Sequence, residues 1–242
     1  MECRVSPRRL FQPLLACLMI GGASLPGLAA AQEKTPDSMA DRVLACAACH
    51  GVQGEGNSRN PYFPRLGGQP ADYLSNQLRA FRDDHRKYGP MNYLTTYLSD
   101  GYLHEIATYF SKLRPTLPAP AAPTAAPATL EAGRKLVMEG DAARKVPACV
   151  ACHGEKLTGR EPGIPGLLGF SKEYVSAQLG AFRAGVRHGT APDCMQQVAT
   201  RLSDADIAAV SAWLAAQPAP QDLAPTAAGT TQLPLVCGSQ QR

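Results

Sequence analysis

Two five-residue stretches dominate what this chain can become: Cys46-Ala47-Ala48-Cys49-His50 and, 103 residues further on, Cys149-Val150-Ala151-Cys152-His153. Two thiols one helical turn apart can form thioethers with the vinyl groups of a haem, and the adjoining histidine then falls beneath the iron as an axial ligand. A single CxxC has other owners: zinc sites, iron–sulfur clusters and redox dithiols. Zinc needs two further ligands at CxxC or HxxxH spacing, and a thioredoxin-like dithiol needs a strand-to-helix setting rich in β-formers. Neither accompanies these motifs. Each is therefore read as a covalent haem c site, two per chain, with Cys46, Cys49, Cys149 and Cys152 as attachment points and His50 and His153 as iron ligands.

The surroundings repeat as well. Pro64, Leu66, Tyr73, Gln77, Leu78, Phe81, Arg82 and Arg86 recur as Pro165, Leu167, Tyr174, Gln178, Leu179, Phe182, Arg183 and Arg187, all at an offset of 101 residues. Past a small insertion the offset becomes 104, and Met91, Leu98, Ser99, Asp100 and Ile106 recur as Met195, Leu202, Ser203, Asp204 and Val210. A duplicated domain of about 85 residues is the economical explanation. Within each copy the apolar residues fall at i, i+3, i+4, and the Ser-Asp pairs after Leu98 and Leu202 are helix starts. Helices are expected from Ser38 through Cys46 and from Leu130 to Glu139, with no β-pattern competing. The fold class is all-α, two tandem domains each wrapped around its haem.

The divisions follow from composition. Residues 1–31 read as an export signal, with Arg4, Arg8 and Arg9 before an apolar stretch and a small-residue cleavage site at Ala29-Ala30-Ala31. Leu14-Leu15-Ala16-Cys17 resembles a lipoprotein box, but the chain after it stays apolar instead of becoming a polar tether. Residues 32–114 are the first domain and 130–217 the second. Between them, residues 115–129 hold five prolines, which favours an extended spacer able to reach about 45 Å and lets the domains separate. Residues 218–242 share that composition and are expected to be disordered. Cys194 and Cys237 lie outside the haem motifs. An oxidising compartment would allow a disulfide between them, while free thiols or pairing between molecules through Cys237 stay open.

Loss of residues 1–31 lowers the formal charge from +4 to +2, and two haems would bring up to four propionates. That balance excludes a nucleic-acid binder. The export signal points out of the cytoplasm.

The sixth ligand separates electron transfer from ligand chemistry. Downstream of each histidine stands one methionine, Met91 or Met195, 41 and 42 residues away. Both are expected in loops, where a thioether can reach iron, and not on core-facing helix stripes. His85, His104 and His188 have no histidine at their repeat positions and are read as surface residues. The carbonyls of Pro64 and Pro165 are candidates to hold the free ring nitrogens of His50 and His153, against a plainer role as rigid loop corners. Arg82 and Arg183, with Arg86 and Arg187, could reach haem propionates or simply be solvated. Leu66, Leu78, Phe81, Leu98 and Ile106, and Leu167, Leu179, Phe182, Leu202 and Val210, are the expected haem-facing core. Tyr109 and Trp213 are expected where first and last helices cross.

Taken together, the repeated CxxCHG, the Pro-x-Leu loop, the helix Tyr73 to Arg82, the methionine and the Leu-Ser-Asp helix start resemble the di-haem class I cytochromes c of the c4 family over about residues 38 to 215. Gly140 to Arg144 before Cys149 is similar to that family's second domain. The resemblance, not composition, implies that an exported chain with covalent haem belongs in the bacterial periplasm. It implies a one-electron carrier and no enzyme, with Cys46, Cys49, His50 and Met91 serving one haem and Cys149, Cys152, His153 and Met195 the other. It further implies a pseudo-symmetric domain pair with haem propionates approaching each other. Partners implied are a terminal oxidase, a quinol–cytochrome c reductase or a periplasmic dehydrogenase, with peripheral contact to membrane complexes. The nearest rival is the electron-accepting subunit of a dehydrogenase, for instance one oxidising a sulfur compound. A di-haem peroxidase would need an iron open to peroxide.

Overall fold

The computed structural model describes residues 38–229 and 232–240, which belong to one compact unit, Pro36–Arg242. The export signal expected over residues 1–31 lies outside the described residues. Among the described residues no helix is long and apolar enough to cross a membrane.

The first helix expected from Ser38 through Cys46 is two helices. Ser38 caps α1 (Met39–Arg42) by accepting from the Asp41 amide, and Val43, with φ −91° and ψ 5°, breaks the run before α2 (Leu44–His50). The break lets Val43 turn inward, 3% exposed, while CxxCH forms a helix of its own. After an irregular loop come α3 (Ala71–Arg82), started by Pro70, α4 (Gly89–Thr95) and α5 (Asp100–Lys112), capped by Ser99. Val43, Leu74, Ile106, Ala107 and Phe110 form the core, with Leu66, Leu78 and Leu98 packed against it.

The second domain repeats this order with α6 (Pro127–Met138), α7 (Cys149–His153), α8 (Lys172–Arg183), α9 (Cys194–Ala199) and α10 (Asp204–Ala215). Ser203 and Asp206 make a reciprocal capping box at the start of α10. The loop after CxxCH closes into a two-residue antiparallel ladder, β1 (Gly159–Arg160) with β2 (Ile164–Pro165), which the periodicity did not announce because four residues are too few to show one. The protein is otherwise helical, in two tandem domains.

Helices α6 and α10 cross at Gly133. A Cβ there would stand 2.8 Å from Trp213 Cβ and still closer to the Ala209 carbonyl, so Trp213 lies at the crossing as expected. Gly133→Ala should destabilise the second domain by about 1–3 kcal/mol through overpacking, despite alanine's better helix propensity. A raised midpoint in chemical denaturation would contradict this.

Two expectations about the connecting segments need correction. The linker is extended, but its last three residues, Pro127 to Thr129, belong to α6, because proline is favoured in a first helical turn. Its first residues are packed: Pro115 is buried against Gly67 and Leu117 touches the turn at Gly169. The tail is likewise not structureless over its described part. Leu223 is 2% exposed beside Gly68 of the first domain, Thr226 exchanges backbone bonds with Gly159 and Glu161, and Cys237 is disulfide-bonded to Cys194. Composition hid this, since a few widely spaced anchors leave no periodic trace.

Candidate functional site

Each CxxCH helix delivers its histidine inward. His50 and His153 are both 6% exposed, and each points its Nδ1 at a proline carbonyl: His50 to Pro64 at 2.8 Å, His153 to Pro165 at 2.7 Å. A carbonyl only accepts, so Nδ1 carries the proton and Nε2 keeps its lone pair free for a metal. Burial lowers both imidazoles below the usual histidine range, more than these carbonyls raise them, so both rings are neutral at neutral pH. The carbonyls of Pro64 and Pro165 thus do more than turn a loop.

The thiols have the wrong character for a redox dithiol. Burial raises Cys46 and Cys152 and pushes Cys149 up to about 12, helped by the neighbouring Cys152. A reactive dithiol has at least one depressed thiol. Among the described residues, no three His, Cys, Asp or Glu side chains converge on a metal position, so a zinc site would lack its remaining ligands.

In the second domain the site is a concave, apolar cavity lined by Cys149, Cys152, His153 and Met195, with Leu167, Leu179, Leu202 and Val210 among its walls. It encloses about 80 Å³ and opens to solvent at its mouth. Histidine and methionine therefore line one cavity, as a six-coordinate haem requires. Both methionines lie in short helices, not in the loops expected. Pro90 starts α4 behind the extended Tyr88, and Asp193 caps α9 by accepting from the Gln196 amide. Met91 and Met195 are half-buried, each in the first turn.

Arg82 and Arg183 are engaged by partners within their own domains. Arg82 donates to the Leu98 carbonyl at 3.1 Å and pairs with Asp100 and Asp83, and Arg183 does the same with Leu202 and Asp204. They tie the middle helix to the start of the last one. The two arginines four residues later, Arg86 and Arg187, are buried and cross between domains. Arg86 Nη2 donates to Tyr174 Oη at 2.9 Å and Gln178 Oε1 at 2.8 Å, while Arg187 Nη2 donates to Tyr73 Oη at 3.2 Å and Gln77 Oε1 at 2.7 Å. Each guanidinium lies over its own domain's phenylalanine, Arg86 on Phe81 and Arg187 on Phe182. The contact is self-complementary, as a twofold axis demands. The backbone adds one link, from the His188 amide to the His85 carbonyl at 2.9 Å, although both imidazoles are exposed, as is that of His104.

Two residues break the symmetry, and the repeat did not reveal them. Gln69 bonds both the amide and the carbonyl of Gly166, at 2.8 and 3.1 Å, and Arg65 donates from Nε to the Leu168 carbonyl at 3.2 Å. At the repeat offset Arg65 faces Gly166. A charged residue in the first Pro-x-Leu loop where the second has glycine was the available signal. The domains are thus joined through buried polar contacts, so the freedom expected of the linker is not used.

Arg65, Arg86 and Arg187 gather around Tyr73. Burial raises the Tyr73 phenol, but the surrounding guanidiniums outweigh that and hold it below the usual tyrosine range. Burial also pulls Arg65 down to about 10, which leaves it charged at neutral pH. None of the three makes an ion pair with a carboxylate of the described residues, and Arg65 Nη2 and Arg187 Nε are buried without any partner. Arg86 also acts electrostatically on His50. Buried cations without counter-anions beside an imidazole fit an acidic cofactor at this interface. Arg86→Met and Arg187→Met should each cost about 1–3 kcal/mol by leaving the opposing tyrosine and glutamine without their donor, read as a lower denaturation midpoint. Unchanged midpoints for both would mean that the contact does not hold the domains.

Known proteins share this arrangement. The cytochrome c family profile matches residues 39–109 and 130–217, once per domain. The thiosulfate dehydrogenase electron acceptor of Thiomonas intermedia is 42% identical over 177 residues, covering 73% of this chain and 80% of that one. Cytochrome c4 of Pseudomonas aeruginosa is 37% identical over 175 residues, covering 72% and 84%. The crystal structure of reduced cytochrome c4 from Pseudomonas stutzeri superposes with a TM-score of 0.63 at 34% identity, covering 73% of this chain and 95% of that one. Two CxxCH helices, two buried histidines and an apolar cavity lined by Cys149, Cys152, His153 and Met195 meet those likenesses in the same residues, and two haems c are covalently bound per chain. The chain belongs to the cytochrome c family, as a di-haem electron carrier of the c4 type.

Proposed function

We propose that this carrier works in the periplasm, with His50 and Met91 as axial ligands of one haem iron and His153 and Met195 of the other. Cys46 and Cys49, and Cys149 and Cys152, form the thioethers. The bound haem supplies a one-electron Fe(III)/Fe(II) couple. The protein's part is to fix a neutral imidazole through Pro64 or Pro165, offer a soft thioether that favours the reduced metal, and exclude water with an apolar wall. The observation that carries this reading is the cavity in which His153 and Met195 meet the attachment cysteines. Arg65, Arg86 and Arg187 are proposed as partners of the propionates, in place of Arg82 and Arg183. Both haems would then have their acidic edges at the domain interface.

The proposed route takes single electrons from a dehydrogenase or a quinol–cytochrome c reductase and passes them to a terminal oxidase. The Thiomonas relative named as a thiosulfate dehydrogenase electron acceptor supports a second reading, in which the donor is a dehydrogenase acting on a sulfur compound. Mixing the oxidised holoprotein with a thiosulfate dehydrogenase and thiosulfate in a stopped-flow spectrometer separates the two. Haem reduction within milliseconds to seconds supports the sulfur route. Reduction only by a quinol–cytochrome c reductase supports the first, and reduction by neither rejects both.

A further inference from the structure

The two methionine helices are held in place by different means. In the first domain Asn92, next to Met91, donates from Nδ2 to the carbonyls of Phe81 at 2.7 Å and Arg86 at 2.9 Å, and its Oδ1 accepts from the Tyr88 amide. Thr95 adds a bond to the Met91 carbonyl at 2.9 Å. At the repeat offset of 104, Gln196 and Ala199 replace Asn92 and Thr95. Alanine cannot make the threonine's bond, and the Gln196 side chain makes no hydrogen bond among the described residues. What the second domain has instead is a covalent tie. Cys194 stands where the first domain has Pro90, directly before Met195, and is bonded to Cys237 of the tail.

The tail carries that tie to the opposite wall of the site. Thr226 is bonded through its backbone to Gly159 and Glu161, in the loop that also presents Pro165 to His153. Further on, Ser239 lies against Gly163 of the same loop, and the Gly238 amide donates to the Pro192 carbonyl at 3.0 Å. Residues 237–239 therefore join the loop that presents Pro165 to His153 with the start of the methionine helix. Among the described residues the first domain has no such tie.

We propose that Cys194, Cys237 and the tail form a positioning strap that holds Met195 at the second haem, and that a dithiol can open it. On opening, the Sγ–Sγ bond breaks, two electrons and two protons pass to the two cysteines, and the dithiol leaves as its own disulfide. Freed from the tail, α9 keeps its Asp193 cap and the packing of Val198 and Ala199 but has no side-chain anchor of the Asn92 kind, and Met195 gives way more readily to an external ligand. The first site, pinned by Asn92 and Thr95, is unaffected. The inference rests on Met195 being an iron ligand, as proposed above.

The test is an imidazole titration of the oxidised holoprotein, followed by the weak long-wavelength absorption that marks thioether sulfur on ferric haem. Wild type is compared with Cys237→Ser, and with wild type opened by dithiothreitol, alkylated with iodoacetamide and reoxidised by ferricyanide, a route needing no substitution. Half of the absorption should be lost at about tenfold lower imidazole in both opened forms. Amide exchange in α9 should rise while that in α4 stays unchanged. Once Met195→Ala has removed the second thioether, Cys237→Ser should have no further effect. Titrations identical to wild type, or an effect that persists in the Met195→Ala background, overturn the strap. If Met195→Ala itself leaves the absorption whole, the ligand assignment fails first.

Discussion

Replacing Cys149 and Cys152 together by alanine is expected to give a protein whose mass shows a single porphyrin and whose second domain no longer unfolds cooperatively. The second domain buries Leu136, Val137, Leu157, Leu168, Val210 and Leu214 in one cluster and Val146, Leu202 and Ile207 in another. The cavity lies between them, with Leu136, Val146, Leu202, Val210 and Leu214 all on its wall. Without a filling, Leu179 is the one partly buried side chain among the described residues that packs against both clusters. Cavities cost about 24 cal/mol per Å³ when the walls do not collapse. At about 80 Å³ the enclosed space alone amounts to about 2 kcal/mol, beside the apolar contact with the cofactor that is lost. Together these are a large share of the ~5–15 kcal/mol by which a domain is stable. Cys46→Ala with Cys49→Ala should do the same to the first domain. Far-UV circular dichroism during heating, beside intact mass, is the measurement. A sharp second-domain transition in the absence of its porphyrin would falsify the view that the cofactor is part of the core.

Met91→Ala and Met195→Ala should each remove about half of the thioether absorption and lower one of the two reduction potentials. A thioether is a soft ligand and stabilises Fe(II) over Fe(III). Its loss leaves the site to water or a harder donor, so the potential falls, on the order of 100 mV within the roughly 0.8 V that axial ligands command. Met195 lines the cavity with His153, and Met91 occupies the same turn of α4 in the other copy. The two substitutions should act on different haems, so the double variant should lose the whole absorption. Spectroelectrochemical titration resolves this. Loss of the entire absorption from either single substitution would show that the two sites are not independent, and no loss from either would reject methionine ligation. Folding should change little, because neither side chain belongs to the buried clusters.

Each part of the protein was legible in proportion to how locally it is encoded. CxxCH binds and orients through three residues within one turn, so the attachment points were readable outright. The repeat then doubled every weak signal, which is why Pro64 and Pro165, Met91 and Met195, and the helix cores could be paired before any geometry was known. Arg82 and Arg86 stood equal as cofactor partners in the sequence, because helical spacing does not say which of two arginines four residues apart faces another domain. The breaks at Val43 and in the linker at Pro127 are settled by one or two backbone angles, which no periodicity registers.

The amino-acid order by itself determined the two covalent haem positions and the helices that wall them in, and it named the imidazoles and thioethers proposed as ligands. What only tertiary structure decided is everything that depends on long separations. Arg86 finding Tyr174, Gln69 finding Gly166, and Cys194 finding Cys237 each join residues 43 to 97 positions apart. Such contacts depend on how whole helices dock, because loop closure sets only a weak preference among partners so distant in the chain. The same docking packs parts of a proline-rich spacer and of the tail against the two domains.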